Sequence, residues 1–141
     1  MDGQQIIECR ELTKIYGTQV AVDHLNLTIN QGEIFGFLGP NGAGKTTTLL
    51  MLIGLSEPSS GSATVCGFNP TREPLNVKRV VGYLPENVGF YDDLNALQNM
   101  QFVSSLNGIP EDIALPRIAE LLKVVELDTE KTKKVGNFSR G

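Results

Sequence analysis

The chain has 141 residues, 40% apolar and 20% charged, with a formal net charge of −4; this is one domain at most, with a modest core. Nothing in it is basic enough to make nucleic acid the main partner, and no apolar run reaches the ~18 residues that a membrane span needs. Residues 1–5 carry neither a basic nor an apolar region, so no signal peptide is expected.

Residues 6–12 read as a strand and residues 13–17 as the turn that ends it. Residues 20–29 alternate from Val22 onward, as a half-buried strand does, and Asn30-Gln31-Gly32 turns the chain. Residues 33–38 (Glu-Ile-Phe-Gly-Phe-Leu) form a short apolar strand. It feeds Gly39-Pro40-Asn41-Gly42-Ala43-Gly44-Lys45-Thr46-Thr47, which matches G-x-x-x-x-G-K-[ST] at every specified position. Each residue type has a physical reason. A loop that wraps an anion with its own N–H groups needs the backbone freedom of Gly39, Gly42 and Gly44. The helix that follows aims its N-terminal N–H groups and positive dipole end at the same phosphates. Lys45 places a point charge on the β/γ oxygens, and the Thr46 hydroxyl is the right length to ligand Mg²⁺. The plainer reading, a glycine-rich turn with a solvated lysine, does not explain the strand–loop–helix setting.

A helix over residues 46–54 leaves the loop, and Ser56-Glu57-Pro58-Ser59-Ser60-Gly61 breaks the chain. Residues 62–66 read as a strand, 73–79 as a short helix, and 80–84 as a buried strand ending at Pro85. From Asp92 the period changes: Leu94, Leu97, Met100, Gln101 and Leu106 indicate a helix. Residues 113–125 give another, with Ile118, Leu121, Leu122 and Val125 on one face. The charged stretch after Glu126 is a solvated helix end and loop. Cys9 and Cys66 lack the close Cys/His spacing of a metal site and are expected to be two buried free thiols. The expectation is an α/β fold: a P-loop NTPase core with an N-terminal antiparallel β region over residues 1–86, then a helical subdomain over 87–141.

Four features at matching intervals resemble the ATP-binding domains of ABC transporters. Tyr16, 29 residues before Lys45, looks like the A-loop aromatic. Glu57-Pro58-Ser59-Ser60-Gly61 is similar to the P-x-S-G turn after the P-loop helix. Gly82-Tyr83-Leu84-Pro85-Glu86 sits where the Q-loop belongs, with Glu86 in place of glutamine. Phe138-Ser139-Arg140-Gly141 resembles the start of the L-S-G-G-Q signature, with Arg140 in place of a glycine. The resemblance implies that Tyr16 stacks on adenine, an interaction of ~1–3 kcal/mol, and that residues 39–47 hold the phosphates of ATP. It also implies that Thr46 and Glu86 hold Mg²⁺, and that Ser139 and Gly141 meet the nucleotide across a head-to-tail homodimer. Taken alone, Phe138 to Gly141 also reads as a helix N-cap by Ser139, which is compatible with phosphate binding.

The resemblance covers the first half of the family's domain. The Walker B strand, the catalytic carboxylate and the switch histidine are expected beyond Gly141. His24, the only histidine, precedes the P-loop and belongs on the strand surface. Residues 1–141 are therefore expected to bind nucleotide weakly, to lack turnover by themselves, and to leave residues 34–38 without a sheet neighbour. The implied function is the ATPase subunit of an exporter-like transporter, held on the cytoplasmic face of the membrane by a permease. A narrower resemblance, over residues 84–94, is to ATPases of nitrous-oxide reductase maturation, which implies copper or sulfur handling. The alternatives are a soluble ABC ATPase without a membrane partner, or a nucleotide-binding fragment without catalysis.

Overall fold

The computed structural model describes residues 4–85, 89–130 and 132–138. It divides into two compact units, Met1–Leu84 and Pro85–Gly141.

The first unit is built on an antiparallel sheet of three strands, β1 (Gln5–Tyr16), β2 (Gln19–Asn30) and β3 (Ser60–Val65), in the order β2-β1-β3. The turn expected over residues 13–17 is corrected: β1 continues to Tyr16, and Gly17-Thr18 closes a two-residue hairpin between Tyr16 and Gln19. Gly17 has φ +59°, as the first position of a type II′ turn requires. The strand can run on because it is bulged. Glu11 and His24 take φ of +49° and +44° on facing strands, and the register shifts between Leu12↔Leu25 and Lys14↔Val22. The bulge lets the consecutive residues Leu12 and Thr13 both turn inward, at 0% and 3% exposure, which strict alternation forbids. Side chains satisfy the backbone groups it frees: Glu11 N donates to Asn26 Oδ1 at 2.9 Å, and His24 N to Thr13 Oγ1 at 3.0 Å. His24 itself is exposed.

Two helices, α1 (Lys45–Leu52) and α2 (Pro74–Val80), complete this unit. The core gathers Cys9, Leu12, Val22, Met51, Leu52, Ala63, Val65 and Val77; a fully buried aliphatic side chain contributes about 1.5–3 kcal/mol. Pro74 opens α2 with its φ already set for a helix.

Three expectations are corrected here. Cys9 is buried but Cys66 is exposed, because β3 ends at Val65 and Cys66 swings out in a left-handed turn of φ +49°. Residues 33–38 and 81–84 are not in strands. A strand is defined by its ladder, and among the described residues none pairs with either segment. Ile34 and Leu38 are consequently at 103% and 92% exposure, and Leu84 at 82%.

The second unit is a helical pair, α3 (Ala96–Leu106) and α4 (Glu111–Val124). Asn95 and Gln98 form a capping box at the start of α3, satisfying two otherwise orphan N–H groups. Ala114, Ile118 and Leu122, four residues apart on α4, form the core with Leu97 and Met100 of α3 and with Ile109 and Leu127. Leu121 and Val125, expected on that face, are exposed, since a spacing of four defines the buried stripe and Val125 already lies past the helix end. Asn99 of α3 is a buried polar residue. Its amide accepts from Tyr91 N at 2.9 Å and donates to the carbonyls of Tyr91, Leu94 and Asn95 at 3.1, 3.3 and 3.1 Å.

Candidate functional site

Glycine geometry shapes the loop before α1. Gly42 and Gly44 have φ of +85° and +83°. A Cβ on Gly44 would lie 2.3 Å from the Ala21 carbonyl oxygen and 3.0 Å from Val22 Cγ2, so the residue entering the helix is pressed against β2. Beneath it, Thr48 is buried and donates from Oγ1 to the Gly44 carbonyl at 2.9 Å. A cleft of about 310 Å³, lined in part by Ala21, Val22, Phe37 and Gly42, lies between β2 and the loop. Gly39, Pro40, Asn41, Gly42 and Ala43 face solvent.

Gly44 is the N-cap of α1, and no side chain caps this helix. Its first-turn N–H groups have no intrahelical acceptor, and the positive end of the dipole lies with them. Lys45 Nζ spans the loop, donating to the carbonyls of Gly39 at 2.6 Å and Pro40 at 2.7 Å. Thr46 is exposed and Thr47 half-buried. The loop thus presents a cation beside the uncapped first-turn N–H groups of α1, which fits a polyanion. Among the described residues there is no group of three or more His, Cys, Asp or Glu that could hold a metal. The Thr46 hydroxyl is the described group that suits Mg²⁺, an ion that takes one or two protein ligands and fills its shell with phosphate and water.

Tyr16 closes β1 at 51% exposure. Lys14, two residues earlier on the same strand, has Nζ 5.0 Å from the Tyr16 ring centroid and donates to the Glu57 carbonyl at 2.5 Å. Ser59 fastens the same turn to β1: Ser59 N donates to Thr13 O at 2.8 Å, and Ile15 N to Ser59 Oγ at 2.9 Å. The sequence reading picked out Tyr16 and the 57–61 turn but did not join them. The period of two between Lys14 and Tyr16 was the available signal. Glu86, Ser139 and Gly141, with Arg140, lie outside the described residues.

The model of the ABC transporter family matches residues 22–141. The chain belongs to that family. This ABC chain is 45% identical over 136 residues to the bacitracin transport ATP-binding protein BcrA of Bacillus licheniformis, covering 96% of itself and 44% of that relative. It is 42% identical over 107 residues to the probable multidrug ABC transporter ATP-binding protein YbhF of Escherichia coli (strain K12), covering 76% of itself and 18% of the relative. A Nod factor export ATP-binding protein I of Cupriavidus metallidurans is 36% identical over 136 residues, 96% of this chain and 45% of that one. The ABC chain therefore spans less than half the length of each of these relatives. A solved structure of the ATP binding subunit of an ABC transporter superposes with a TM-score of 0.77 at 27% identity, over 96% of this chain and 56% of that one. The α/β P-loop architecture, with its antiparallel region and helices, is the one the sequence pattern indicated.

Proposed function

We propose that this ABC chain binds ATP at residues 39–47 and Tyr16, as part of the ATPase subunit of an exporter-type transporter. The observation that carries the reading is the start of α1: an uncapped helix N-terminus, glycines held at φ near +85°, and the Lys45 ammonium aimed across the loop. In this reading Lys45 transfers its ammonium from the Gly39 and Pro40 carbonyls to the β/γ-phosphate oxygens. The backbone N–H groups of Gly42 and of residues 44–46 orient the phosphate chain, and Tyr16 supports the base. Thr46 together with Glu86 would hold Mg²⁺, which would neutralise phosphate charge. Ser139 and Gly141 meet the nucleotide of a second copy in a head-to-tail dimer.

The membrane permease is the proposed partner of residues 87–141. That unit carries an apolar groove of about 730 Å³ lined by Phe90, Tyr91, Met100, Phe102, Ile118 and Leu121 among others, a surface suited to an amphipathic segment. No helix among the described residues is long and apolar enough to cross a membrane, so attachment to its cytoplasmic face through the permease is part of the proposal. The exporter class is favoured by relatives named for bacitracin transport, multidrug transport and Nod factor export. None of those names supports copper or sulfur handling, and the proposal stops at the exporter class. Calorimetric titration with MgATP tests the reading: Lys45→Ala is expected to remove most of the affinity, and a titration equal to that of the parent would refute it.

A further inference from the structure

We infer that Lys14 is a positioning residue for the nucleotide base, holding the Tyr16 ring ready for stacking; this rests on the reading of Tyr16 as the base platform. Residues 14 and 16 lie on the same face of β1. The Lys14 ammonium is 5.0 Å from the Tyr16 ring centroid, inside the ~6 Å range over which a cation is attracted to a π face. A surface lysine would ordinarily sample many rotamers. This one is tethered, because Nζ also donates to the Glu57 carbonyl at 2.5 Å.

The tether is itself held in place. Glu57 belongs to the turn that follows α1, and Ser59 of that turn is laced to β1 by bonds with Thr13 and Ile15 at 2.8 and 2.9 Å. Gly61 brings the turn closer still: a Cβ there would sit 2.1 Å from the Glu11 carbonyl oxygen. The Glu57-Pro58-Ser59-Ser60-Gly61 stretch thereby acquires a role that its sequence did not reveal. It anchors an ammonium over the Tyr16 ring, while Tyr16, a residue at 51% exposure, keeps surface open for a second planar group. The cation narrows the ring's freedom and draws π density away from the open face, which favours an electron-rich purine lying against it. It does so without touching the ligand.

The test compares ATP with inorganic tripolyphosphate, which carries the anionic charge but no base. Both are titrated calorimetrically into the parent, Lys14→Met, Lys14→Arg, Tyr16→Ala and the Lys14→Met/Tyr16→Ala double variant. Lys14→Met is expected to weaken ATP about 2–5-fold, leave tripolyphosphate unchanged and add nothing once Tyr16 is alanine. Lys14→Arg, which keeps the charge and the donor, is expected to restore ATP binding. A loss shared by tripolyphosphate, or one that persists undiminished without the Tyr16 ring, overturns the inference, since Lys14 would then act as a general attractor of anions. If Tyr16→Ala weakens ATP but Lys14→Met does not, the inference alone falls. If Tyr16→Ala has no effect while Lys45→Ala abolishes binding, the base-platform reading falls and takes this one with it.

Discussion

Gly42 and Gly44 have nearly the same φ, +85° and +83°, yet their surroundings differ. Nothing lies within 4 Å of a Cβ placed on Gly42, whereas on Gly44 it would meet the Ala21 carbonyl oxygen at 2.3 Å. Alanine at either position bears the left-handed backbone cost of about 1–2 kcal/mol. Only Gly44→Ala also has to push β2 away from the start of α1. Carbon–oxygen contacts ordinarily sit at ~3.3 Å or more, so a displacement of about 1 Å is needed, next to Val22 in the core. Overpacking of that kind costs typically ~1–3 kcal/mol, which brings Gly44→Ala to about 2–5 kcal/mol. That is a large part of the ~5–15 kcal/mol that stabilises an ordinary domain. Urea unfolding followed by far-UV circular dichroism is expected to place the Gly44→Ala midpoint well below that of Gly42→Ala, itself modestly below the parent. Equal midpoints for the two alanine variants would refute the argument that β2 fixes the loop through this glycine.

Burial, and next the neighbouring Glu8, push the Cys9 thiol up from 9.0 to about 11. A thiol reagent at pH 8 is expected to titrate Cys66 at once and Cys9 only after denaturant; two fast thiols would contradict the burial. Because the Cys9 value is raised on folding, its contribution to stability is complete below pH 9 and lost as pH climbs towards 11. The Glu33 carboxylate is held below the usual range, first by the Asn30 side chain and then by the Asn30 backbone N–H. Its contribution is present at neutral pH and lost as pH falls through the depressed value; a carboxyl-resolved NMR titration should show the low midpoint move part of the way back in Asn30→Ala, which removes the side-chain bond and keeps the backbone one. Asn99→Leu strands the Tyr91 N–H that the amide satisfied, an expected loss of about 1–3 kcal/mol. Faster hydrogen exchange at Tyr91 would accompany it, and an unchanged unfolding midpoint would count against the clamp.

The parts of the site legible in sequence were those where one residue type answers one physical demand. Gly42 and Gly44 announced left-handed backbone before the helix because few other residues take those angles, and both are found near +85°. The length of β1 was not legible, since the bulge at Glu11 and His24 breaks the alternation that marks a strand. The side chains that satisfy the backbone there, Asn26 and Thr13, carry no local signature. Residues 33–38 and 80–84 have the composition of buried strands, but composition does not supply a ladder partner. Cys66 was expected inside as a free thiol without a metal partner, whereas its exposure follows from where β3 stops. The link between Lys14, Tyr16 and Glu57 crosses more than 40 positions of sequence and emerges only when the turn after α1 folds back on β1.

In the proposed ATP site, the Lys45 ammonium lodged between two carbonyls of its own loop sets the terms on which a phosphate would be exchanged. A phosphate arriving there would meet a cation already held in place, so less side-chain ordering would remain to be done on binding. The exchange substitutes phosphate oxygens for the Gly39 and Pro40 oxygens, so the lysine's contribution to affinity is the difference between two sets of charge-assisted bonds rather than their sum. On departure the same carbonyls recapture the ammonium, and the leaving anion does not abandon a bare charge in the loop.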